Sequence, residues 1–181
     1  IDVHALSDHL MSEPQQLQAR FAYRFLPISL ACKASGNMEE FARLTRPLVD
    51  KFVTQRKQEV IEKNQKGGLD LRLAHFTWCC EFKARNNQKL KKQAYIDLLY
   101  KMLGGDKGKE GEENEEPIQE EKPASEITID DIQVSHHTDY RHGDYDFIIE
   151  VFRDLLLFSI VKKYKQWKKY NIKQIMESFA K

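Results

Sequence analysis

The sequence has 181 residues, 41% hydrophobic and 31% charged, with a formal net charge of +1. That is enough chain for one domain with a real core. Its longest apolar stretch, residues 155–161, falls far short of the ~18–20 residues that span a bilayer. The charge is uneven: residues 104–131 hold 11 acidic residues and three lysines, a net of −8, which leaves +9 for the remainder. A basic body with one acidic insert points to an anionic partner, nucleic acid before membrane.

In chain order, Val3, Leu6 and Leu10 recur at helical spacing, so residues 2–11 are predicted as a short amphipathic helix ended by Pro14. From Arg20 to Leu26 the period falls to two, which predicts a half-buried strand closed by Pro27. Asn37 and Glu40 have the spacing of a capping box before a run in which Met38, Phe41, Leu48 and Phe52 share a helix face to about Lys63. Pro47 is expected to kink that helix or start a second one. Gly67-Gly68 marks a break. Residues 75–83 alternate as a strand, and Asn86-Asn87 leads into a helix over residues 88–103 with a stripe of Leu90, Ala94, Leu98, Leu99 and Met102.

Gly104-Gly105 stops this helix. The Glu-, Gly- and Lys-rich residues that follow, to about 126, bury too little to offset ordering entropy and are expected to be a disordered acidic insertion. Ile127, Ile129, Ile132 and Val134 suggest a strand. Residues 145–152 and 155–161 form a hairpin turning at Arg153-Asp154, or one long helix, since period alone does not separate the two. Ile172, Ile175, Met176 and Phe179 end the chain on a helical face. Interleaved helices and strands favour an α/β or α+β layered domain.

No phosphate-binding loop, dinucleotide fingerprint or nucleophile elbow is present. His136, His137, Asp139, His142 and Asp144 are the one metal-like cluster, but they follow no known ligand template, and no metal or cofactor is expected. Cys32, Cys79 and Cys80 fit neither a zinc site nor a redox motif and read as reduced thiols.

Three blocks carry a resemblance. They are Arg24-Phe25-Leu26-Pro27-Ile28-Ser29 with Ala31-Cys32-Lys33-Ala34; Phe82-Lys83-Ala84-Arg85-Asn86-Asn87; and Phe147-Ile148-Ile149-Glu150-Val151 with Leu157 to Tyr164, extended by Lys168-Lys169-Tyr170-Asn171-Ile172. In this order they resemble the THUMP domain of the adaptors for tRNA acetylcytidine formation, over most of residues 1–176. The resemblance implies an α/β fold with a mixed sheet and flanking helices, and a single THUMP-type domain over residues 1–181 interrupted at 104–126. It also implies tRNA binding, no catalysis by the chain itself, and a separate RNA cytidine acetyltransferase that uses acetyl-CoA and ATP. A nuclear or nucleolar placement, with the cytoplasm as alternative, goes with that role. The long insertion and the lack of a small residue near Asp154 depart from the pattern.

Phosphate capture needs cations and donors kept together. Arg24 and Lys33 flank the first block; Lys83, Arg85, Asn86 and Asn87 form the second; Lys91, with Lys89 and Lys92, extends its charge; Lys162 and Lys163 belong to the third. Each cation also has a plainer role as a solvated strand or helix edge. The aromatics Tyr164, Trp167 and Tyr170 among the C-terminal lysines fit base stacking, a basic partner helix, or packing against the core, and packing is the favoured reading. Two other functions stay open: an RNA-binding module of a larger RNA-modifying enzyme, and a protein-interaction scaffold using the basic C-terminal segment.

Overall fold

Among the described residues, five strands form one mixed sheet in the order β1-β5-β4-β2-β3. The computed structural model describes residues 2–13, 24–67, 71–105 and 127–179. The strands are β1 (Leu30–Lys33), β2 (Leu73–Arg85), β3 (Gln133–Thr138), β4 (Tyr145–Phe152) and β5 (Leu155–Lys162). The helices are α1 (Val3–Ser12), α2 (Met38–Gly67), α3 (Lys92–Met102) and α4 (Ile172–Phe179). This is the expected α/β class with a mixed sheet and helices. Among the described residues no helix is long and apolar enough to cross a membrane. The chain forms two compact units.

The first unit comprises Ile1–Asn37, Thr77–Leu90 and Thr138–Lys181. Its central element is the β4–β5 hairpin, the alternative that the sequence left beside a long helix. Arg153 closes the turn with φ 56°, in the left-handed region, and its N–H donates to the Arg85 carbonyl at 3.0 Å. β4 runs parallel to β2 and antiparallel to β5, so it is buried on both faces as a central strand should be. β1 adds to the other side of β5, antiparallel. Trp78, Phe147 and Phe158 pack in line on one sheet face, at centroid spacings of 5.2 and 6.4 Å. On the opposite face Ile148 and Val161 are buried with Met11 of α1, Ile172 and Ile175 of α4, and Tyr164 and Tyr170.

Asp2 caps α1 by accepting from the His4 and Ala5 amides, as an N-terminal carboxylate should. The buried positions are Ser7 and Met11, not the expected stripe; Val3 and Leu6 are exposed. Residues 20–23 of the expected first strand lie outside the described residues. At its described end Arg24 makes only an isolated bridge to Asn171. The C-terminal basic segment is not a partner helix. It is a run of turns ending in a 3-10 turn, Lys168–Tyr170, whose three residues all have positive φ. Burying Tyr164 and Tyr170 side by side, 6.0 Å apart, turns the chain back and leaves no continuous helical face.

The second unit comprises Met38–Phe76 and Lys91–His137. Here α2 continues as one helix through Pro47, so no second helix starts there. Pro47 is exposed, while Phe41, Thr45, Val49 and Phe52 form a buried stripe that passes it at helical spacing. Phe41 meets Tyr95 edge-on and Phe52 meets Phe76, so packing holds the helix across one missing hydrogen bond. α3 begins at Lys92 rather than residue 88, and its buried positions are Tyr95, Leu99 and Met102. Gly104, at φ +90°, ends it as expected. The acidic stretch 106–126 lies outside the described residues. The strand expected from Ile127 starts only at Gln133, because Thr128 and Asp131 close a capping box around a 3-10 turn.

Candidate nucleic-acid interface

Residues facing each other across strands share a sheet face. Register therefore assembles a row across four strands: Arg85 of β2, Phe152 of β4, Leu155 of β5 and Lys33 of β1, all exposed. The next row inward is Lys83, Glu150, Leu157 and Ala31. Asn86, at φ 55°, turns the chain at the end of β2. Asn87 then ties that turn to the hairpin: its Nδ2 donates to the Arg153 carbonyl at 2.8 Å, and its Oδ1 accepts from the Lys89 amide at 3.0 Å. The Ala34 amide in turn donates to the Asp154 carbonyl at 2.6 Å. Thus Lys33, Lys83 and Arg85 gather from separate strands at one end of one face, with Asn86 and Asn87 in the turn that follows Arg85.

A cleft of about 540 Å³ continues this face inward. Arg24, Lys83, Lys165, Lys168 and Lys169 line it, against two carboxylates, Glu81 and Glu150. Arg24 is held by the protein's own groups. It ion-pairs with Glu150, donates to the Tyr164 hydroxyl, and donates from Nε to the Lys169 carbonyl at 2.9 Å. It thereby holds the left-handed turn that places Lys168 and Lys169, both exposed, on the rim.

The other expected contacts fall elsewhere. Lys162 pairs with Tyr145 in register, on the opposite sheet face, and its Nζ sits 5.6 Å from that ring's centroid. Lys163 follows at the far end of β5, about 26 Å along the strand from Leu155. Lys91 belongs to the second unit, where it is exposed ahead of α3. Three cleft residues outside the expected contact set are Lys165, Lys168 and Lys169. Their basic-aromatic spacing was visible, but nothing in it signals a left-handed turn.

Near the cleft, Cys79, Glu81 and Asp146 bring a thiol and two carboxylates within 4.8 Å of one another. Cys79 donates to Asp146 at 2.9 Å, and Lys165 lies 3.7 Å from its sulfur. Burial, aided by Asp146, pushes the Cys79 thiol up to about 12, so it is protonated and unreactive. The three groups and Lys165 form one hydrogen-bonded polar cluster beside the cleft. In the former metal-like cluster, Asp139 accepts from the Arg141 and His142 amides, and Asp144 from Thr77.

Burial also raises the Asp146 carboxyl above the ordinary carboxylate range. The folded state then holds that proton more tightly than the unfolded chain does. The resulting stabilisation is full below the unfolded pKa and is lost as pH rises through the folded value. Asp146→Asn is therefore expected to gain stability relative to the native protein between pH 4 and pH 8, read by urea unfolding at both. A variant that loses most at pH 8 would mean that Lys165 holds the carboxylate ionised.

No family model matches the chain, and no curated protein matches it. Among solved structures, it is similar to a 4-thiouridine synthetase crystallised with RNA and bound ATP, at 18% identity and a TM-score of 0.27. The match covers 73% of this chain and 24% of the other, so the chain spans about a quarter of that enzyme. A likeness this slight carries no weight for fold or function.

Proposed function

We propose that this protein is a non-catalytic tRNA-binding adaptor that presents tRNA to a separate cytidine acetyltransferase. The observation that carries the reading is the convergence of the three THUMP-like sequence blocks on one surface. The first supplies Arg24 and Lys33, the second Lys83 to Asn87, and the third Glu150, Lys168 and Lys169. Such a surface suits a phosphate backbone, with arginine for bidentate contact and lysine for looser charge contact. The adaptor's contribution is positional: tethering raises the concentration of the target cytidine at the partner's catalytic centre.

The test is tRNA affinity across a salt series with a same-length duplex as competitor, followed by acetylation with the acetyltransferase, acetyl-CoA and ATP. The expected result is tRNA-preferring binding that weakens with salt, and acetylcytidine formation that depends on this chain. Weak, salt-tolerant binding without preference would transfer the reading to a protein-interaction scaffold. Acetylation at full rate without the chain would remove the adaptor role.

A further inference from the structure

We propose that Phe152 is a stacking platform for an unpaired RNA base, with the flanking cations gripping the adjoining phosphates. This rests on the RNA-binding reading and adds to it the kind of RNA that this end of the sheet takes. Phe152 is a large aromatic at the end of a central strand, yet it is 51% exposed, and its row neighbour Leu155 is 44% exposed. Arg85 and Lys33 close the row on either side. Three strand spacings of about 4.8 Å put the Cα atoms of these two residues about 14 Å apart, with Phe152 and Leu155 between them.

Cation, ring, aliphatic floor and cation in one line match the alternation of phosphate and base along a single strand. Arg153 adds to the pattern, its guanidinium carbon 5.6 Å from the Phe152 ring centroid, within cation–π range. The turn that carries Arg153 is fixed by Asn87 and by its own bond to Arg85. The platform is therefore set before ligand arrives. A regular duplex hides its base faces in the stack, so an aromatic platform selects unpaired nucleotides.

The experiment uses a short single-stranded oligoribonucleotide with one 2-aminopurine, and a duplex of equal length, against the native protein, Phe152→Ala and Phe152→Tyr. Phe152→Ala is expected to lose roughly tenfold in single-strand affinity, together with the 2-aminopurine quenching. Its duplex affinity and thermal midpoint should stay near native, and Phe152→Tyr should keep both single-strand signals. Unchanged quenching and affinity in Phe152→Ala would overturn the platform while RNA binding by the native protein still stood. An equal loss for single strand and duplex would also overturn it, making the ring a general support. Failure of the native protein to bind either RNA would defeat the RNA-binding reading itself, and the platform with it.

Discussion

Replacing Arg24 with alanine is expected to destabilise the protein by about 2–3 kcal/mol and to weaken RNA binding with it. The guanidinium serves the Glu150 carboxylate, the Tyr164 hydroxyl and the Lys169 carbonyl, and it also lies 5.5 Å from the Tyr164 ring centroid. Both members of the ion pair are only 25% exposed, so solvent replaces the lost contacts poorly. Glu150 would keep its charge without its partner. Lys168, Lys169 and Tyr170 would keep three left-handed residues, each costing on the order of 1 kcal/mol, with less to hold them. Arg24→Lys should recover little, because one ammonium does not reach three acceptors in a planar fork. The midpoint of urea unfolding gives the result. A shift worth less than about 0.5 kcal/mol would make the pair a solvent-screened surface contact.

Neutralising Lys83 and Arg85 together, each to glutamine, is expected to lower tRNA affinity roughly 10-fold to 100-fold at low salt. It should also make the logarithmic salt dependence shallower by about 1.4–1.8, the loss of two phosphate contacts. Glutamine is preferred to glutamate because Lys83 faces Glu150 across the sheet, where a second carboxylate would add like-charge repulsion. Lys162 and Lys163 provide the internal control. Their neutralisation removes the same charge from outside this end of the face and should change affinity by no more than about twofold. Equal losses from the two pairs would mean that net charge, not the assembled face, governs binding.

Different physical signals explain what the sequence revealed and what it hid. The hairpin was legible because residues 145–152 and 155–162 are dense in β-branched and aromatic side chains around a two-residue break. β1 was not, since Leu30–Lys33 is too short for a period, and its partner, β5, lies far along the chain. The true face of α2 was disguised by its polar members: Thr45, Arg56 and Asn64 are buried among Phe41, Val49 and Phe52. Thr45 bonds the Phe41 carbonyl, Arg56 pairs with Glu59, and Asn64 holds both backbone groups of Leu71. Residues 86–90 looked like a helix start, but Asn87 spends its amide on the turn instead. The basic end of the sheet was visible as residue types. Its assembly into a row, and the inclusion of Phe152, depended on register that no single segment encodes. The packing of Tyr164 and Tyr170 followed the plainer of the readings available to them.

The order of the chain through its two units has a kinetic consequence. The polypeptide leaves the first unit after Asn37, returns at Thr77, leaves again after Leu90 and returns at Thr138. β1 therefore emerges before any partner strand, and Leu30 can meet Phe158 only after all of the intervening chain has been made. The β4–β5 hairpin closes quickly, but docking β1 and β2 onto it means closing long loops first. High contact order of this kind slows folding without lowering final stability. A newly made chain thus spends its longest wait with the cationic strand ends Lys33 and Arg85 present and the sheet between them not yet built.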